Sequence, residues 1–209
     1  MSLTDLLLEW TAIHEARIGK PMPLLPASEA EIAELEELFE LRFTDELREL
    51  LAFTHSTVPG WSGNPNGHMY FPGGVYANIR QWAQVLPELA TTLEADSGPF
   101  LDVPGAGQKS AQLLTDAGIL VGIVCEGPAE GALWHWNSDG ATWITRSLSE
   151  FVGYCIEYEH NGYLDWEQRG PLGGCEVARP VPREPWVGQF PREVGRSGLA
   201  WSWEPLGNL

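Results

Sequence analysis

Lys109-Ser110, preceded by Pro104-Gly105-Ala106-Gly107-Gln108, is the chain's nearest approach to a phosphate-binding loop. Such a loop needs Gly-x-x-x-x-Gly-Lys-Ser/Thr between a strand and a helix, so that backbone N–H groups ring the phosphates. Counted back from Lys109, the two glycines would fall at 103 and 108, where the chain carries Val103 and Gln108. The segment is better read as a flexible loop. The histidines His14, His55, His68, His135 and His160 have neither HExxH nor zinc-finger spacing. His135 alternates with Trp134 and Trp136, so on a strand it faces away from both, as a surface or hydrogen-bonded histidine would. Nothing in the spacing pairs it with Cys125 as base and nucleophile. Cys125, Cys155 and Cys175 are an odd set without a CxxC step, which argues against a disulfide scaffold or zinc ribbon and for inert buried thiols. No GxSxG elbow or DxDxDG calcium loop occurs. These patterns nominate no catalytic residue, no cofactor and no metal, and the chain is read as a non-enzyme.

What remains is charge and aromatic surface. Asp and Glu total 29 against 12 Lys and Arg, a formal charge of −17. Residues 1–165 hold 24 acids and 7 bases, so the whole excess lies there, and residues 166–209 are neutral. An acidic body repels nucleic acid and anionic lipid, which bind through basic residues. It attracts basic proteins and speeds their encounter, and it also serves solubility. Glu34, Glu36, Glu37 and Glu40 form the densest acidic patch and the first candidate partner surface; a solvated helix face would look the same. Trp61 and Tyr70, set in a Gly/Asn/Pro-rich stretch, are of the residue types that anchor interfaces, although covering the edge of a core is the better reading of them. No apolar run approaches the roughly 20 residues that cross a bilayer, and the N-terminus lacks a basic secretory start, so a reducing cytoplasm is expected. A monomer or weak homo-oligomer fits this composition.

The elements that must carry these groups can be read from periodicity. A helix is expected from about Thr4, as N-cap, to Ile18, with Leu6, Leu7, Trp10, Ile13 and Arg17 at helical spacing. Pro21, Pro23 and Pro26 then make an extended connector. Ser28-Glu29-Ala30-Glu31 is a capping box opening a second helix with Ile32, Leu35 and Phe39 inward. Thr44 caps a third helix, whose first turn holds Asp45 and Glu46 and whose buried side is Leu47, Leu50 and Leu51. His55 to Gly74 reads as loop, about Val75 to Leu93 as a fourth helix interrupted near Pro87, and 96–110 as turns. Strands are expected at Ile119–Val124, Ala132–Trp136 and Ala141–Thr145, the last two joined by an Asp139-Gly140 hairpin turn. Ser147-Leu148-Ser149-Glu150 is a further capping box, opening a helix that buries Phe151, Val152, Cys155 and Ile156. Residues 166–209 carry Trp166, Trp186, Trp201 and Trp203 among six prolines, which suggests an extended arm laid against the body.

The stretch EIAELEELFELRFTDELRELLAF, Glu31 to Phe53, and the stretch LWHWNSDGATWITRSLSEFVGYCIEY, Leu133 to Tyr158, resemble the SUKH superfamily. That group contains a yeast regulator of cell-wall synthesis and many bacterial toxin-immunity proteins. Leu41-Arg42-Phe43-Thr44-Asp45 stands at the family's Leu-Pro-like step, with Phe43-Thr44 in place of Leu-Pro. Ser147 and Phe151 match its closing Ser-Phe helix, while Thr54-His55-Ser56-Thr57 replaces the usual Asn-Gly. The two stretches cover about a quarter of the chain. The resemblance implies an α+β domain with a mostly antiparallel sheet and helices packed around it; the composition shift after Asp165 sets that domain at residues 1–165 and the C-terminal arm at 166–209. The resemblance further implies a protein-binding role, above all neutralising a basic toxin, in this family often a nuclease. The alternatives are a scaffold or regulatory module with a cellular client, and an enzyme without a recognisable motif.

Overall fold

The structure is a computed structural model. It describes residues 1–19, 21–22, 24–54, 56–57, 69–71, 74–76, 109–116, 119–127, 129–137, 140–172 and 175–182. Three amphipathic helices come first: α1 (Leu3–Ile18), α2 (Glu29–Phe39) and α3 (Asp45–Phe53). Each begins where a hydroxyl can take up free backbone N–H groups. Ser28 and Glu31 form the expected reciprocal box, and the Thr44 side chain accepts from Leu47 N–H. On α1 the cap is Ser2 rather than Thr4. Asp5 answers Ser2 across a complete box, which holds the Asp5 carboxyl below its ordinary range, and this places Thr4 inside the first turn. Gly19, at φ +77°, ends α1 in the left-handed conformation that glycine adopts without strain.

Between α1 and α2 the proline connector carries β1 (Leu24–Leu25), which pairs with β2 (Ser56–Thr57). The main sheet is a six-stranded antiparallel meander in strict chain order: β3 (Met69–Phe71), β4 (Gly74–Tyr76), β5 (Lys109–Asp116), β6 (Ile119–Glu126), β7 (Leu133–Asn137) and β8 (Gly140–Thr145). The chain then forms α4 (Leu148–His160) and a separate two-stranded antiparallel ribbon of β9 (Leu164–Leu172) and β10 (Cys175–Pro182). The described residues thus form an α+β protein with an antiparallel sheet.

Alternate residues of the sheet face the helices. Ala111, Leu113, Val121, Ile123, Cys125, Leu133 and Ile144 share one core with Leu7 and Trp10 of α1, Ile32 of α2, Leu47, Leu50 and Leu51 of α3, and Phe151 and Cys155 of α4. The intervening Val124 and Trp134 are buried as well. Val121 to Cys125 are thus buried on both faces, as a continuous apolar run requires. On that second face Gly122 pairs with Trp134 across the ladder, and a Cβ at Gly122 would come 2.5 Å from the indole Cε2. Glycine is required there because the ring lies against the backbone.

Several expectations are corrected. Ser56–Thr57 and Met69–Phe71 are strands within the stretch read as loop, and Val75 and Tyr76 belong to β4 instead of opening a helix. The reason lies in the residue types: aromatic and β-branched side chains on either side of Pro72-Gly73 favour a hairpin. Lys109 and Ser110 begin β5, where turns were expected; Ala111 and Leu113 supply the buried alternation. The Ser147 box is half formed, since the Glu150 carboxylate accepts from Arg146 N–H and not from Ser147. Positions 77–93 of the expected fourth helix, Trp61, residues 104–108, Asp139 of the hairpin turn and 183–209 of the arm lie outside the described residues. A strand, β9, crosses the expected boundary at 165/166.

Candidate functional site

The α2–α3 hairpin carries the acidic candidates, and it uses them in two ways. Beyond the last turn of α2, Glu40 adopts a left-handed conformation (φ 49°), and its N–H bonds to the carbonyls of Glu36 and Glu37. The chain reverses there, which returns Phe43 N–H to the Glu36 carboxylate at 2.8 Å. The other Glu36 oxygen accepts from Arg48 Nη1 of α3 at 2.6 Å, and Arg48 Nη2 reaches Glu29. These bonds, the one to Glu36 foremost, raise the Arg48 pKa further above its ordinary value. Glu36 is therefore a brace between α2 and α3, and only about 20% of its side chain is exposed.

Glu34, Glu37 and Glu40 are exposed, and none has an ion-pair partner among the described residues. Ala30, Ala33, Glu34, Glu37 and Leu38 fall on one face of α2 by helical spacing, and all five are exposed, Leu38 by 55%. The result is a ridge of carboxylates beside an unburied leucine. Tyr70 lies in β3 opposite Val75, on the edge hairpin of the sheet and not on this helix face. Trp61 falls outside the described residues.

A second constellation escaped the sequence reading. On α1, Trp10, His14 and Arg17 follow one another at i, i+4 and i+7, one helical face. Trp166 of β9 closes over that face. His14 is fully buried, edge-on to both indoles, with ring centroids 5.1 Å from Trp10 and 5.0 Å from Trp166. The Trp166 indole N–H donates to Glu159 Oε2 of α4 at 2.7 Å. The other Glu159 oxygen binds the Arg17 guanidinium, which also stands 5.7 Å from the centre of the Trp166 ring. The i, i+4 pairing of Trp10 and His14 was the one signal available beforehand. A third carboxylate, Glu46 at the start of α3, accepts the N–H groups of Leu148 and Ser149 and the Ser149 hydroxyl, so α3 caps α4. Arg17, Glu159 and Trp166 are joined across three elements, and the Arg17 side chain remains about half exposed.

Burial pushes the Cys125 thiol up to about 12 and the Cys155 thiol upward also, so neither is a thiolate near neutrality. Lys109, the lysine of the would-be phosphate loop, sits in β5 with its ammonium 3.0 Å from Glu126, an arrangement that lowers the Glu126 pKa. Among the described residues there is no grouping of three His, Cys, Asp or Glu able to hold a metal ion, and no helix long and apolar enough to cross a membrane. His135 lies in β7 between Val121 and Thr142 of its neighbours. The chain matches no family model and no curated protein.

Proposed function

We propose that this chain is a non-catalytic binding module of SUKH-like arrangement, an immunity-type protein of the cytoplasm that holds a basic toxin or effector domain against its acidic surface. The observation that carries the proposal is the exposed ridge of Glu34, Glu37 and Glu40 beside Leu38 on a chain of formal charge −17. Carboxylates without an internal cation are the ones a basic partner can neutralise, and an exposed leucine among them supplies apolar contact. Occlusion of the partner's basic active site by these carboxylates would be the means of neutralisation. Fast, salt-sensitive association follows from the charge.

Capture from the source cell's lysate and secretome at low salt, with identification by mass, tests the proposal. The expected result is one small basic protein, released by salt, toxic when produced alone and harmless when produced with this chain. Its association rate should fall at least about tenfold for the triple variant Glu34→Lys, Glu37→Lys, Glu40→Lys. A partner bound with equal rate by that variant would remove α2 as the surface. A neutral, salt-insensitive housekeeping client would replace the immunity reading with a scaffold role.

A further inference from the structure

The β9–β10 ribbon, like the much shorter β1–β2 pair, stands apart from the six-stranded meander. Its ladder runs from Leu164↔Pro182 to Leu172↔Cys175, with a bulge between Cys175 and Val177. Among the described residues its backbone hydrogen bonds join only its own two strands; it is not a seventh and eighth strand of the meander. A two-stranded ribbon is marginal in water by itself. Outside its own ladder it is retained by side chains and by the approach of β10 to α1 and β3; among the described side chains Leu164 and Pro180 are buried, and Trp166 engages the body through four groups. Those groups are Trp10 (6.1 Å between ring centroids), His14, Arg17 and Glu159. The hinge before the ribbon is short, with Gly162 at φ +70° and Tyr163 N–H bonded back to Tyr158.

We infer that the β9–β10 ribbon is a strap that opens as one unit about Gly162, that Trp166 is its latch, and that opening uncovers the Trp10–His14–Arg17 face of α1 together with Glu159 of α4. The inference does not rest on the proposed toxin-binding role. A segment that shares no ladder with the main sheet opens at a cost set by its side-chain contacts, below the cost of unfolding the core. Trp166 is suited to this because its ring covers the buried His14 while its N–H satisfies Glu159. Withdrawal of Trp166 leaves Glu159 with Arg17 as its remaining bonded neighbour of the pair and exposes two aromatic rings. The uncovered face combines an indole, an imidazole and a bound ion pair, a surface able to take back an aromatic side chain bearing an N–H donor.

Amide hydrogen exchange and trypsin cleavage after Arg169 on the full chain test this directly. In the wild type, the inter-strand amides of 164–172 and 175–182 should share one opening equilibrium, faster than that of α1, α3 and β6. Trp166→Ala should raise exchange across both ribbon strands, and cleavage after Arg169, by about a hundredfold, the scale of losing a packed indole. Exchange in β6 and α3 should change far less. Trp166→Phe keeps a ring and loses the N–H to Glu159, so it should lie between the two; it also serves if the alanine variant fails to fold. Ribbon amides that exchange only with the core in the wild type, or a rise shared equally by α3 and β6 in Trp166→Phe, would overturn the strap.

Discussion

Glutamate plays opposite parts at two places in this molecule. At the junction of α1, α4 and β9, Glu159 turns inward, with about 7% of its side chain exposed, and both oxygens hold partners from other elements. On α2, Glu34 and Glu37 turn outward beside Leu38 and hold none among the described residues. The lesson is that net charge is a poor guide to function until each carboxylate is assigned. Glu29, Glu31, Glu36, Glu46 and Glu159 belong to the architecture. Only the carboxylates left over can belong to a partner.

The comparison breaks most easily at Glu46. Replacing it with alanine leaves the Leu148 and Ser149 N–H groups at the start of α4 without their acceptor, partly buried and close to the positive helix end. Glu46→Ala should cost about 2–3 kcal/mol in urea unfolding. Glu159→Ala should follow at about 2 kcal/mol, since Arg17 is half exposed and can turn to water while the partly buried Trp166 N–H loses its acceptor. If either change lies within about 0.5 kcal/mol of wild type, the division between inward and outward glutamates fails.

The inner region should also show itself at alkaline pH. The unfolded Cys125 thiol ionises near 9, and the folded one near 12 because burial opposes the thiolate. The folded chain therefore keeps a proton that the unfolded chain releases between those values. The contribution is complete below pH 9 and declines as pH rises toward 12, at up to about 1.4 kcal/mol per pH unit for one such group. Cys155 and Tyr158, both shifted upward by burial, act with the same sign. Stability measured from pH 9 to 11 should fall steeply, and Cys125→Ala should flatten the fall. An unchanged slope would show that Cys125 keeps no such proton.

Glu40 stands between the two groups, outward in its side chain but strained in its backbone at φ 49°. Glycine adopts that conformation freely, so Glu40→Gly should raise stability by about 0.5–1 kcal/mol, read as a higher urea midpoint at unchanged slope. No gain would mean that the cap is already relaxed by its bonds to the carbonyls of Glu36 and Glu37.

The inward and outward roles were unequally legible in the sequence. Ser28-x-x-Glu31, Thr44 and the stripe Leu47, Leu50, Leu51 announced α2 and α3 because caps and helical period are local properties. The strands β6, β7 and β8 were legible from apolar content. β5 was not: Lys-Ser-Ala-Gln-Leu-Leu-Thr-Asp buries small Ser110 and Ala111, and small residues carry little hydrophobic signal. Glu36 looked like its neighbours because its inward role depends on a chain reversal that returns Phe43 N–H seven residues later. The Glu159 partners lie at Arg17 and Trp166, one of them 142 residues away, beyond the reach of any periodicity.

The smallest stability effect is the one that isolates the candidate surface. Glu34→Gln and Glu37→Gln remove two charges from exposed positions without changing side-chain shape. Stability should stay within about 0.5 kcal/mol of wild type, since no partner within the described fold is lost. Association with a basic partner should slow in low salt, and the difference should vanish as ionic strength approaches 1 M, where the screening length falls to about 3 Å. Glu36→Gln supplies the contrast. It weakens the brace to Arg48 and should lower stability while leaving the salt dependence of association nearly intact. If Glu36→Gln changes the salt dependence and the outward pair does not, the partner reads the α2–α3 hairpin from the Arg48 side, and the exposed ridge is only a solvated face.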